Sequence, residues 1–158
     1  MKIRILFSLL FALALPTAAF ADGSRDRSLD EMFPLKSKDG ETFSDAEKAV
    51  KAEDYRKAIG ILEKLLSGNE RNVDVLNYLG YSHRQIGEFD KSMGYYQRAL
   101  ALVPSHRGAN EYLGQLYLRL GDIKQAETQL ARLARICGTG CEEDDSLKNA
   151  IARAKRPS

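Results

Sequence analysis

The chain has 158 residues, 44% of them hydrophobic and 29% charged, which is enough apolar material for one domain with a buried core. It carries 24 Lys and Arg residues against 22 Asp and Glu residues, so its net charge is close to zero. That balance excludes the strongly basic surface by which proteins attract nucleic acids or anionic lipids at a distance, and we expect no nucleic-acid partner.

Residues 1–21 have the pattern of a secretory signal peptide. A basic start at Lys2 and Arg4 precedes an apolar run at 5–15, and an Ala-x-Ala motif ends at Ala21. The apolar run is shorter than the roughly 20 residues that a membrane-spanning helix needs. We therefore expect cleavage after Ala21, a periplasmic location in a bacterium and no membrane insertion of the mature chain, with an uncleaved anchor as the alternative.

Residues 22–38 follow as a polar, charged stretch. Their large apolar side chains are few and fall together, as Leu29, Met32, Phe33 and Leu35. Because so little apolar surface does not offset the entropy lost on ordering a segment, we predict a flexible polar arm. The apolar group at 29–35 is the part of this arm that could dock on the fold.

A period of 34 residues organises the chain from 39 to 138. The segment 77–81 matches the segment 111–115 in its central Tyr-Leu-Gly, and the same shift pairs Gly87 with Gly121. Self-similarity at a fixed period of this length is typical of repeat proteins. It predicts three units of helical repeat, at 39–72, 73–106 and 107–138.

Each unit is predicted to form two helices with a tight turn between them. Apolar residues recur at three- and four-residue steps on both sides of the turn, which is the spacing of one helix face. In the second unit Gly87 marks the turn, and Pro104 ends the second helix because proline cannot continue a helix interior. Gly80 and Gly114 have no side chain, which lets paired helices approach closely.

This pattern of a Leu-Gly pair, a later Gly-x-aromatic, an Ala and a terminal Pro resembles the tetratricopeptide-repeat (TPR) motif. The third unit has Gly138 in place of the proline, and in the first unit Thr42 and Asp45 replace apolar residues. Residues 44–47 resemble a capping box, so we expect a short first helix that starts late. The second unit carries nearly the whole motif, as Leu76, Leu79, Gly80, Gly87, Phe89, Tyr96, Ala99 and Pro104.

The resemblance implies an all-α fold, an α-solenoid of three TPR helix hairpins. We also predict a C-terminal capping helix and tail at 139–158, because a stack of repeats needs an end with one polar face. Leu147, Ala150 and Ile151 would form the apolar stripe of this helix. The acidic residues at 142–145 and the basic residues near its end suit the helix dipole.

Cys137 and Cys141 lie at the corner between the third unit and the cap. Exported proteins meet an oxidising compartment, so a structural disulfide is the expected state. Thiol-redox chemistry and Cu(I) handling remain as alternatives. Redox enzymes usually place Cys-x-x-Cys at a helix start, whereas Cys137 falls at a helix end. The spacing with a distant histidine resembles periplasmic copper-delivery proteins, but their α/β fold has no counterpart in this sequence.

No set of residues for catalysis is evident. His83 falls on the buried face of its helix, where we expect a hydrogen-bonded packing role, and His106 is expected to face solvent just after Pro104. The sequence has no phosphate-binding glycine loop and no Ser/His/Asp cluster. We therefore predict a protein that is not an enzyme and that has neither a cofactor nor a metal.

In TPR proteins the first helix of each pair lines a concave surface that holds a partner. The resemblance therefore implies a protein–protein interaction adapter of the bacterial cell envelope, which binds a protein or peptide. Solvated helix surface is the alternative for each candidate residue, and the open ends of the stack leave self-association possible. The partner-binding candidates are Asp74, Asn77, Tyr81, Arg84, Gln85, Glu111, Gln115, Leu118 and Arg119, with Phe43, Glu47, Val50 and Lys51 in the first unit.

Some TPR proteins clamp a C-terminal carboxylate with lysine and asparagine side chains. The matching positions of this chain hold Phe43, Glu47, Tyr78, Gly108 and Tyr112. None of these is a lysine or an asparagine, so we predict no specificity for C-terminal acidic peptides.

Overall fold

The computed structural model describes residues 36–138 and 140–156, and the predicted signal peptide and nearly all of the predicted arm lie outside these ranges. Strand pairing within them is limited to one isolated bridge, between Lys36 and Thr42. The prediction of an all-α fold of helix hairpins with a final helix is confirmed. The helices are α1 (Phe43–Lys51), α2 (Tyr55–Gly68), α3 (Val73–Gln85), α4 (Phe89–Leu102), α5 (Arg107–Arg119), α6 (Ile123–Cys137) and α7 (Glu142–Ala154).

The hairpins recur with a constant turn geometry. The turn before each second helix contains one residue with positive φ: 58° at Glu53, 82° at Gly87 and 78° at Gly121. The two glycines adopt this left-handed conformation at no steric cost, whereas Glu53 holds it with a side chain. The backbone of the turn therefore repeats even where the glycine does not. The second helices begin 34 positions apart, at Tyr55, Phe89 and Ile123.

The first helix is short, as expected, with 9 residues against 13 in both α3 and α5. Its capping box is formed by Thr42 and Asp45, so the prediction of a box at 44–47 is wrong. The Asp45 amide donates to Thr42 Oγ1 at 3.3 Å, and the Thr42 amide donates to the Asp45 carboxylate at 3.1 Å. Thr42 serves as the cap because the bridge to Lys36 holds its backbone extended. Hydrogen bonds from Thr42 and Lys48 lower the pKa of Asp45 to about 2.

Two glycines lie where neighbouring helices pack tightly. A Cβ atom on Gly80 of α3 would lie 2.5 Å from the ring of Tyr96 in α4, which is fully buried. A Cβ atom on Gly114 of α5 would lie 2.5 Å from a methyl group of Leu147 in α7. Since interiors are packed to crystal-like density, only a hydrogen atom fits at these positions. Ser92 of α4 adds a polar contact by donating a hydrogen bond to the Gly80 carbonyl at 2.7 Å.

The last helix, α7, packs against both α5 and α6 through a small apolar face. Leu147 is fully buried and Ile151 is 5% exposed, and both lie in one cluster with Ala126 and Leu133 of α6. Burying two large apolar side chains is worth roughly 3–6 kcal/mol of transfer free energy, which is what holds the end of the stack. Across the described ranges, every helix is too short or too polar to span a bilayer.

Candidate functional site

The helices α3, α5 and α7 together form the walls of a groove with a volume of about 390 Å³. The helices α3 and α5 are the first helices of successive repeats, and α7 lies where the first helix of a fourth hairpin would lie. The 34-residue shift carries Tyr78 to Tyr112 and then to Ser146, so equivalent positions of three repeats line one groove. We call this the inner groove, and it is lined by Asn77, Tyr78, His106, Gly108, Glu111, Tyr112, Glu142, Glu143 and Ser146.

A buried arginine lies next to the inner groove, between two tyrosines. The guanidinium carbon of Arg84 is 5.3 Å from the ring centroid of Tyr81 and 5.8 Å from that of Tyr112. The two ring centroids are 5.1 Å apart. Arg84 is only 6% exposed, and its Nε has no hydrogen-bond partner among the described residues. Cation–π contact with both rings compensates part of the cost of removing this charge from water.

Glu111 is the buried acid of the inner groove. It is 8% exposed, and its Oε1 accepts hydrogen bonds from Ser146 Oγ at 2.6 Å and from Gln115 Nε2 at 2.8 Å. Desolvation raises the pKa of Glu111 above its ordinary value. A carboxyl group whose pKa is raised by folding contributes to stability, and this contribution is complete below the unfolded-state pKa. It is lost as the pH rises through the folded-state pKa. At neutral pH the fold therefore carries this carboxylate at a cost to its own stability.

Tyr78 is fixed in the groove wall from both of its sides. Its hydroxyl donates a hydrogen bond to Glu47 Oε1 at 3.0 Å, and its ring packs edge-on against Phe43 with centroids 5.0 Å apart. Burial raises the pKa of Tyr78, so that the hydroxyl remains a hydrogen-bond donor. Phe43 and Glu47 occupy two positions of the carboxylate clamp of other TPR proteins. Here they support Tyr78, which occupies a third clamp position.

The two histidines have structural hydrogen bonds. His83 is 2% exposed and its Nδ1 lies 2.8 Å from Glu88 Oε2, which confirms the predicted packing role. The expectation that His106 faces solvent is wrong, because the ring caps α5 and is only 20% exposed. Its Nδ1 accepts a hydrogen bond from the Ala109 amide at 3.0 Å, and its Nε2 lies 3.1 Å from Asp74 Oδ1. The hydrogen bond with His106 lowers the pKa of Asp74.

The nine partner-binding candidates of the second and third units differ in exposure. The inner groove brings Asn77 and Glu111 together, and Tyr112 connects it to Arg84. A ligand would therefore reach the buried candidates from the groove rather than from the outer surface of a helix. The buried candidates are Asn77, Arg84 and Glu111, the half-buried ones are Tyr81, Gln85, Gln115 and Leu118, and the exposed ones are Asp74 and Arg119.

Sequence reasoning did not select Ser146, Glu142 and Glu143, although all three line the groove. The sequence prediction gives α7 a capping role alone, and such a role implies no binding residues. The signal that could have identified them is the repeat itself. Shifting Gly108 by 34 positions gives Glu142, and shifting Tyr112 gives Ser146.

A disulfide between Cys137 and Cys141 closes the corner between α6 and α7, with the two Cα atoms 5.6 Å apart. Gly138 and Gly140 have positive φ values of 66° and 113°, which lets the chain reverse within this short loop. A carboxylate oxygen of Glu143 lies within 4.8 Å of both sulfur atoms. Cysteine thiolates are the ligands of a soft metal site, but sulfur atoms joined to each other offer no thiolate.

Comparison with known proteins identifies relatives of part of the chain. The family described as anaphase-promoting complex, cyclosome, subunit 3 matches residues 51–133, which is just over half of the chain. Protein FlbA of Caulobacter vibrioides is 36% identical over 89 residues, or 55% of this chain. The chain spans only 15% of the length of that relative.

Solved structures share the fold at low sequence identity. The type III secretion translocator chaperone SycD of Yersinia enterocolitica has a TM-score of 0.66 at 15% identity, over 81% of this chain and 86% of SycD. PcrH in complex with the chaperone-binding region of PopD has a TM-score of 0.63 at 15% identity, over 84% and 94% of the two chains. The first TPR of Spaghetti (RPAP3), bound to an HSP90 peptide, has a TM-score of 0.62 at 19% identity, over 70% and 87%. At these identities the likeness establishes the TPR solenoid alone.

Proposed function

The chain belongs to the tetratricopeptide-repeat family described as anaphase-promoting complex, cyclosome, subunit 3, and from this premise we propose that it is a non-enzymatic adapter that binds another polypeptide in its inner groove. One observation carries the proposal: equivalent positions of three successive repeats line a single groove. Stacked helix pairs generate curved surfaces that other proteins use to hold an extended chain.

The side chains around the groove are of the types that dominate protein interfaces. Tyr78, Tyr81, Tyr112 and Arg84 are concentrated there, and tyrosine and arginine supply a large share of interface hot spots. Arg84 is already held between two rings, so it would lose little conformational entropy on binding. The PcrH structure is a complex with a region of PopD, and the RPAP3 structure is bound to an HSP90 peptide. We extend that class of ligand, without its identity, to this chain.

We further propose that the adapter acts in the bacterial periplasm. The signal-peptide pattern at 1–21 supports export, and the paired Cys137 and Cys141 suit an oxidising compartment. Mass determination of the protein recovered from the periplasmic fraction would show a new N-terminus after Ala21. A protein that retains residue 1 and stays in the cytoplasmic fraction would contradict this location.

Site-specific photocrosslinking tests the adapter role. A p-benzoylphenylalanine residue in place of Gln115, which contacts Glu111 on α5, should capture a discrete partner from the native envelope. The same residue in place of Gln97, which is exposed on α4, should not. Both substitutions replace a helical glutamine, so the pair controls for photochemistry. Equal crosslinking at the two positions would contradict the groove as the binding site.

Thiol-redox or Cu(I) handling is the second candidate function, since Cys137, Cys141 and Glu143 lie close together. Cys141 precedes the first turn of α7, where the helix dipole favours a thiolate, but the acidic residues at 142–145 oppose it. Two free thiols in protein isolated without reductant would favour this candidate over a structural bridge.

We expect the disulfide to stabilise the cap. The double substitution Cys137→Ser and Cys141→Ser should lower the free energy of unfolding by about 2 kcal/mol, which is the chain-entropy value for so short a loop. Thermal denaturation of the wild type with and without reductant provides the matched measurement. Reduction of the wild type should lower its melting temperature by about as much as the double substitution does. A double variant as stable as the oxidised wild type would show that the bridge does not hold α7 in place.

A further inference from the structure

We propose that the inner groove binds a basic polypeptide segment and holds the lysine or arginine side chains of that segment. This inference rests on the adapter function proposed above. Three of the side chains that line the groove are acids, which when ionised only accept hydrogen bonds. Glu111, Glu142 and Glu143 contribute carboxylates, and no lysine or arginine is among the described residues that line it. A surface of acceptors is complementary to a ligand that brings donors and positive charge.

Asn77 provides an independent indication of what the groove accepts. This residue is 5% exposed and lines the groove, and its Oδ1 receives no hydrogen bond from any residue that the structure describes. A buried oxygen without a donor costs about 1–3 kcal/mol, so native structures seldom keep one without a reason. The other end of the amide faces Gly108, where a Cβ atom would lie only 3.1 Å from Asn77 Nδ2. A donor on an incoming ligand would satisfy the oxygen.

The positively charged groups near the groove do not neutralise its carboxylates. Arg107 Nε lies 3.5 Å from Glu143 Oε1, but the arginine side chain is 56% exposed and stands outside the groove lining. Arg84 is partly compensated by its two tyrosine rings, and His106 already contacts Asp74. Glu111 keeps a costly carboxylate whose partners are the neutral donors of Ser146 and Gln115. An opposite charge beside it, which a basic side chain of the ligand would provide, would offset part of the cost of burying this carboxylate.

The geometry favours a basic side chain over a metal ion. Within the described ranges, the only group of potential ligands that lies close enough to hold an ion is the one at Cys137, Cys141 and Glu143. The groove carboxylates lie on two helices, Glu111 on α5 and Glu142 and Glu143 on α7, and therefore suit the separated charges of an extended peptide. Tyr78 and Tyr112 add aromatic faces, on which the alkyl stems and cationic heads of lysine and arginine pack well.

Selection of a displayed library of random peptides on the purified mature chain tests the inference. The wild type should enrich peptides with lysine or arginine several-fold over the unselected library. Glu111→Gln should weaken the binding of a selected peptide about tenfold, the effect of losing one charged hydrogen bond. The variant should stay folded, because glutamine can accept both existing hydrogen bonds, and its melting temperature at neutral pH should equal or exceed that of the wild type.

A matched pair of double variants separates local from overall charge. Glu142→Gln with Glu143→Gln should weaken the same peptide, whereas Glu63→Gln with Glu70→Gln, which removes two exposed charges from another face, should not. Peptides that bind at the groove without basic enrichment would overturn this inference and leave the adapter function standing. Peptides that are insensitive to every groove variant, or the absence of any selected peptide, would count against both.

Discussion

Replacing Gly80 by alanine is expected to destabilise the protein, because it overpacks the contact between α3 and α4. The new methyl group would lie 2.5 Å from Tyr96 Cε1 and 2.6 Å from Cδ1. The tyrosine ring cannot turn away, since it is fully buried against Leu113 and Leu116. Overpacking of this kind costs about 1–3 kcal/mol, which the gain of about 1 kcal/mol from helix propensity reduces.

Gly94 in α4 offers the matched control. A Cβ atom there meets nothing within 4 Å, so Gly94→Ala should raise the free energy of unfolding by about 1 kcal/mol through propensity alone. The difference between the two variants isolates the packing cost, and urea denaturation followed by circular dichroism measures it. If Gly80→Ala stabilises the protein as much as Gly94→Ala does, the close approach of α3 and α4 is wrong.

The repeat period predicted the second helix of each hairpin better than the first helix of the chain. The turn at 53, 87 or 121 and the helix after it are specified by nearby residues, so a shift of 34 positions transfers them faithfully. The start of α1 depends instead on the bridge between Lys36 and Thr42. Both Thr42 and Ser44 fit the preference for a helix cap, and periodicity cannot choose between them.

The candidate site was only partly predictable because its burial comes from the next repeat. The helix-face pattern places Asn77 and Arg84 on the side of α3 away from its own hairpin, but α5 partly covers that side and Tyr112 stacks near the arginine. Glu111 is covered in turn from α7, through a hydrogen bond to Ser146 that spans 35 positions. A pattern read within one helix carries no information about such a contact between repeats.

Leu147→Ala is expected to have the largest effect on both stability and binding. The side chain is fully buried between α5 and α6, and truncation of a buried leucine costs about 2–5 kcal/mol. Because α7 also carries Glu142, Glu143 and Ser146, loosening it should remove one wall of the inner groove. Peptide capture should therefore fall together with the melting temperature, whereas Leu120→Ala, at an apolar side chain that is 50% exposed, should change neither measurably.

Adding Gly114→Ala shows whether the leucine acts through the contact that the structure describes. In the wild type the new methyl group would lie 2.5 Å from Leu147 Cδ2, so this single variant should destabilise. In the Leu147→Ala background that atom is gone, and the methyl group should fill part of the cavity and restore stability. Directly contacting residues couple by about 0.5–3 kcal/mol, which a double-mutant cycle of unfolding free energies resolves. Additive effects would mean that α7 does not rest on Gly114, and the inner groove would then lack the wall on which its acidic character depends.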